Sequence, residues 1–139
     1  MYKIHEKYVD YNGTEREEDF YFNLTTTELM KMEFGTEGGL AEKIKKINAA
    51  KDTIQIMNTF EEFLKISYGQ KSDDGKRFIK SPELLKEFME TPAYSQIYMR
   101  LGTDEKAAVD FINHVVPADI LDKVNSEQSN LRLVKATTN

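Results

Sequence analysis

The chain has 139 residues with 40% hydrophobic and 31% charged content, and its 24 acidic and 19 basic side chains leave a net charge of −5. That balance describes one soluble globular domain that buries roughly 70% of its unfolded surface, and its acidity argues against nucleic acid, which needs clustered Lys and Arg. The absence of cysteine excludes disulfides, thiolate nucleophiles and cysteine zinc sites, and two histidines, His5 and His114, do not make a histidine-rich metal centre.

No apolar run approaches the ~18 residues of a membrane span, and Met1-Tyr2-Lys3-Ile4-His5-Glu6 is no signal peptide. The expected compartment is the cytoplasm in which the chain is made, with no membrane partner.

The first 24 residues read as a β-hairpin. Tyr2, Ile4 and Tyr8 alternate with Lys3, His5 and Lys7; after Asn12-Gly13, Phe20, Phe22 and Leu24 alternate with Asp19, Tyr21 and Asn23. A two-residue Asn12-Gly13 loop would split the apolar residues between faces. A three-residue loop, Asn12-Gly13-Thr14, or a bulge gathers them on one face and pairs Ile4 with Phe22 and Tyr2 with Leu24.

The chain after Leu24 reads as helical. Thr25-Thr26-Thr27-Glu28 is a capping box for a helix running to about Phe34. A second short helix carries Leu40, Ile44 and Ile47, and Asp52 caps a third, spanning Thr53 to Tyr68, whose apolar residues cover roughly two-thirds of its circumference. That width predicts a central helix with several neighbours. Ser81-Pro82-Glu83 and Thr91-Pro92 are helix starts. Leu84, Leu85, Phe88 and Met89 form the apolar side of the first, and Tyr94, Ile97, Tyr98 and Leu101 that of the second. Gly102 is expected to end that helix and Thr103 to cap the next, lined by Ala108, Ile112 and Val115 up to Pro117.

The predicted fold class is therefore α+β, mainly α: an N-terminal hairpin packed on a compact bundle of about five to six short helices. Residues 1–117 form the domain, hairpin 1–24 and helices 25–117, and residues 118–139 a weakly helical, then flexible tail.

The stretch QKSDDGKRFIKSPE, Gln70 to Glu83, has the acids and glycine of a calcium loop. With Gly75 in the sixth place, the first ligand is the neutral Gln70 and the twelfth is Ser81 rather than a bidentate Glu. A Walker loop needs two glycines around a Lys-Ser/Thr pair. The expectation is a connector, with a tight turn at Asp73-Asp74-Gly75 and an extended Arg77-Phe78-Ile79. Glu17-Glu18-Asp19 reads as a solvated charge run rather than two carboxylates on one strand face. His114 lies at the border of its helix's apolar stripe and His5 opposite the apolar hairpin face. No catalytic, cofactor or metal residues are predicted, and no enzyme. Met99 falls off the Tyr94–Leu101 stripe, which marks it for a contact outside the core.

The segments DFYFNLT (from Asp19), SYGQKSDDGKRFIKS (from Ser67) and TPAYSQIYMRLGTDEKAAVDFIN (from Thr91) together resemble the tail assembly chaperones of tailed phages and prophages of Gram-positive bacteria. The resemblance extends from about Glu17 to Pro117. It implies a non-enzymatic protein of the host cytoplasm that coats the tape measure protein, keeps it soluble, helps recruit tail tube subunits, and is absent from the mature virion. It carries over no catalytic residues. A small acidic domain suits that role by covering long apolar helices in a groove. The hairpin edges would pair with a strand of another copy or of a tube subunit. The partner-binding residues expected on these grounds are Tyr21 and Met99. The competing expectation is a small cytoplasmic interaction or regulatory domain with no tail role.

Overall fold

In the computed structural model, which describes residues 1–35 and 53–116, strand β1 (Tyr2–Val9) and strand β2 (Glu15–Phe22) form the expected antiparallel hairpin. One face carries Ile4, Tyr8, Phe20, Phe22 and Leu24, all buried. The register is shifted by two from the predicted one: Tyr2 faces Phe22 and Ile4 faces Phe20. The loop is Tyr11-Asn12-Gly13, closed where the Asp10 amide donates to the Thr14 carbonyl at 2.9 Å. A loop of this length ends on a left-handed residue. Gly13 takes that conformation, φ +81°, whereas the predicted loop would have placed the β-branched Thr14 there. Asp10 holds the turn, accepting from the amides of Asn12 and Thr14 at 2.9 Å each.

Helix α1 (Thr26–Gly35) starts on the predicted capping box. Glu28 Oε1 accepts from the Thr25 amide at 3.0 Å, and Thr25 Oγ1 accepts from the Glu28 amide at 3.2 Å. The helix expected at Leu40 to Ile47, the Asp52 cap and residues 118–139 lie outside the described residues.

Helix α2 (Thr53–Ser67) buries Phe60, Phe63 and Leu64. It stops one residue before the expected end, because Tyr68 opens strand β3 (Tyr68–Lys71), which pairs with β2 through Phe22↔Tyr68 and Tyr21↔Gly69. Strand β4 (Phe78–Ile79) closes a second hairpin on β3. The Gln70 to Glu83 stretch is thus more than a connector: its turn and extended Phe78-Ile79 are present, but they complete an antiparallel sheet of order β1-β2-β3-β4. Gly69 permits the close approach, since a Cβ there would lie 2.8 Å from the Ile79 carbonyl oxygen.

Helices α3 (Pro82–Met89) and α4 (Pro92–Thr103) start on the predicted Ser81 and Thr91 caps, whose hydroxyls accept from the amides of Leu84 and Tyr94. The next cap differs from expectation. Helix α4 continues through Gly102 to Thr103, whose hydroxyl donates back to the Met99 carbonyl at 2.6 Å. Thr103 is thus still a residue of α4, and Asp104, the first residue in extended backbone, caps helix α5 (Glu105–Val115) by accepting from Lys106 and Ala107. The fold is α+β and mainly helical, with five helices among the described residues.

Phe22 lies at the centre of the core. Its ring, fully buried, meets Tyr68 of β3 at 5.9 Å, Phe88 of α3 at 6.0 Å and Phe111 of α5 at 5.6 Å. Tyr68 and Phe88 stack at 4.2 Å. Phe111, which the expected α5 stripe omitted, is also fully buried. The hairpin is therefore part of the core. Its apolar face supplies one wall and helices α1 to α5 the others.

Candidate functional site

With one sheet face packed on the helices, the odd-numbered residues of β1 and β2 stand on the outer face. Lys3 faces Tyr21, His5 faces Asp19 and Lys7 faces Glu17, so a basic strip on β1 opposes an acidic one on β2. His5 Nδ1 donates to Asp19 Oδ1 at 2.6 Å and Nε2 donates to Glu17 Oε1. This corrects the reading of Glu17-Glu18-Asp19: residues two apart on a strand share a face, and Glu17 and Asp19 present both carboxylates to one imidazole. Carboxylates accept only, so the doubly protonated ring satisfies both contacts. The bonds to Glu17 and then Asp19 push His5 above its ordinary 6.5. The His5 bond in turn holds both carboxyls below their ordinary values, Lys7 adding at Glu17 and Lys3 and Lys71 at Asp19. All three side chains are solvent-accessible. The cluster is a solvent-accessible cross-strand clamp, with Asp19 also bordering a cleft between β2 and β3.

Tyr21 lies on this outer face, its ring beneath the Lys71 ammonium at 4.5 Å from the centroid. Met99 belongs to the helical layer, half exposed on α4. The two expected contact residues therefore sit on different layers and form no single patch. His114, expected to be half-exposed at the border of its stripe, is exposed, with its ring stacked on Tyr2 at 5.0 Å.

Two polar features were not foreseen. Glu6, on the core face of β1, is 3% exposed and receives Arg100 of α4, with one contact at 2.7 Å. A lone acid within an alternating apolar strand was the signal for such a partner, since buried carboxylates are almost always paired. Lys80 donates to Glu28, Asn23 and Ile66, and nothing in its local sequence announces this.

Among the described residues no three His, Asp or Glu side chains converge on a metal position, and no helix is long and apolar enough to cross a membrane. The surfaces of the described residues include a charge-striped sheet face and a helical layer with exposed Met30, Met99 and Val109.

Comparison with curated proteins and with solved structures gave no match. A family model described as phage tail assembly chaperone matches residues 1–139, taking in the residues before Glu17 and after Pro117 that the resemblance had left outside. With its whole length matched, the chain belongs to the phage tail assembly chaperone family.

Proposed function

We propose that this protein binds the tape measure protein of its phage, keeps it soluble, and helps bring tail tube subunits to it during tail assembly. It acts in the host cytoplasm, without catalysis, and leaves before the virion matures. The whole-length family match carries this reading. Two features support it. A tape measure protein exposes long apolar helical faces that aggregate unless covered, and the helical layer here offers exposed apolar side chains, Met99 on α4 among them. A net charge of −5 keeps a complex dispersed. Tyr21, on the opposite layer, is assigned to a separate contact, with a tube subunit.

Co-expression with the tape measure protein of the same genome tests the proposal. That protein should move into the soluble fraction and co-purify, and moderate salt should not release it, because apolar burial is not screened. Met99→Glu should reduce co-purification while leaving the melting temperature unchanged. The proposal fails if the tape measure protein stays insoluble, or if this chain is a stoichiometric component of finished virions.

A further inference from the structure

Strand β2 is only partly covered on its second edge. It pairs with β1 along Glu15–Phe22, but with β3 only at Tyr21 and Phe22. In an antiparallel pair, successive residues alternately aim their backbone groups toward and away from the partner. The bond from Asp10 to Thr14 places the even-numbered residues of β2 toward β1. The Asn23 amide, donating to the Ser67 carbonyl at 2.8 Å, places the odd-numbered ones toward β3. The N–H and C=O groups of Glu15, Glu17 and Asp19 therefore point to a side where, among the described residues, no strand lies. β3 turns away there, leaving a cleft of about 500 Å³ bordered by Glu18, Asp19, Tyr21, Gln70, Lys71 and Asp73.

Charge selects the occupant. Glu15–Asp19 carries four carboxylates against one guanidinium. On the outer face, a basic strip on β1 is followed by the acidic strip on β2. The next basic strip begins with Lys71, above Tyr21, and goes no further. An incoming strand with cationic side chains on that face continues the line where β3 leaves it. A second copy is a poor occupant. β2 against β2 would set acid on acid, which destabilises cross-strand pairs. The outer edge of β1 is obstructed by α4, where Gln96 Nε2 donates to the Lys7 carbonyl at 3.0 Å.

We propose that the open β2 edge at Glu15, Glu17 and Asp19 accepts an extended segment bearing Lys or Arg at alternate positions, contributed by a protein other than this chain. Backbone bonds supply the pairing and the acidic strip selects the sequence, as in other strand additions. The surface is separate from the helical layer, so the proposal stands or falls independently of tape measure binding.

Amide hydrogen exchange on the full-length protein tests it, with a short peptide alternating Lys and Thr as probe and its Glu-for-Lys counterpart as control. In the free protein the amides of Glu15, Glu17 and Asp19 should exchange freely while those of Arg16, Glu18 and Phe20 are protected. The Lys peptide should slow the first group by more than about tenfold, and raised salt should weaken the effect. Glu15→Pro removes one edge donor at the strand's first residue, where proline is tolerated, and should weaken the peptide about tenfold. Glu15→Arg should weaken the Lys peptide and favour the Glu peptide. The proposal is overturned if these amides are protected in the free protein. It is also overturned if their protection rises with protein concentration alone, or if the two peptides bind alike.

Discussion

The ammonium of Lys80 donates to Glu28 Oε2 at 2.6 Å and to the carbonyl oxygens of Asn23 and Ile66 at 2.7 and 2.8 Å. One side chain thereby joins the exit of β2, the cap of α1 and the last turn of α2. Burial by itself would raise the Glu28 carboxyl, but the bonds from Lys80 and Thr25 outweigh it and hold the group below its ordinary value. Lys80→Met removes the cation and leaves two carbonyls short of a partner, so it should cost about 2 kcal/mol. Lys76→Met, on the exposed turn, should stay within about 0.5 kcal/mol. Chemical denaturation of the two variants checks the difference, and equal effects would mean that the three-way bond contributes nothing.

The core position of Phe22 makes a second test. Removing a fully buried ring shared by β2, β3, α3 and α5 should destabilise the domain by about 3–5 kcal/mol in Phe22→Ala. Lys3→Ala, on the outer face, should be nearly silent in the same melts. A small loss at Phe22 would show that the hairpin is not part of the cooperative unit.

Gly69→Ala probes the β3–β4 approach. The added methyl would sit 2.6 Å from Phe78 Cε2 and 2.8 Å from the Ile79 carbonyl oxygen. The ring can rotate away but the backbone cannot, so a cost of about 1–3 kcal/mol is expected. A melting temperature equal to that of the unmodified chain would mean that the second hairpin is not closed as described.

The His5 clamp has a pH signature. His5 titrates above 6.5, so its contribution is complete below its unfolded value and is lost as pH rises through the raised one. Glu17 and Asp19 titrate below 4.5 and 3.8, so theirs is present above those values and is lost as pH falls through the lowered ones. The clamp is thus strongest between the ordinary carboxylate values and 6.5, and weakens as pH rises from there through the raised His5 value. Proton NMR of the His5 ring should give a pKa above 6.5, falling toward it in Glu17→Gln. An unchanged value in that variant would refute the two-carboxylate contact.

The features legible in the sequence are those that need only near neighbours. Thr25 with Glu28, Ser81 with Pro82, and Thr91 with Pro92 announce helix starts because a cap bonds within three residues of itself. The shared face of Ile4, Tyr8, Phe20 and Phe22 follows from period-two alternation, which constrains the parity of the register but not its value. The value came from Gly13 being the residue able to take the left-handed position. Strand β3 and its pairing with the extended Phe78-Ile79 were missed because four and two residues are too short to show a period, and Tyr68 continued the helical pattern until Phe22 paired with it. Asp104 displaced Thr103 as a cap because the preceding helix runs on through Thr103 and Asp104 is the residue with the extended backbone a cap needs. Lys80 meets partners 52 and 57 residues away, and Arg100 reaches Glu6 across 94. Contacts of that separation are decided by packing geometry, which local patterning does not encode. The open edge of β2 belongs to the same class, since it exists only because β3 pairs with two residues of β2 and then diverges.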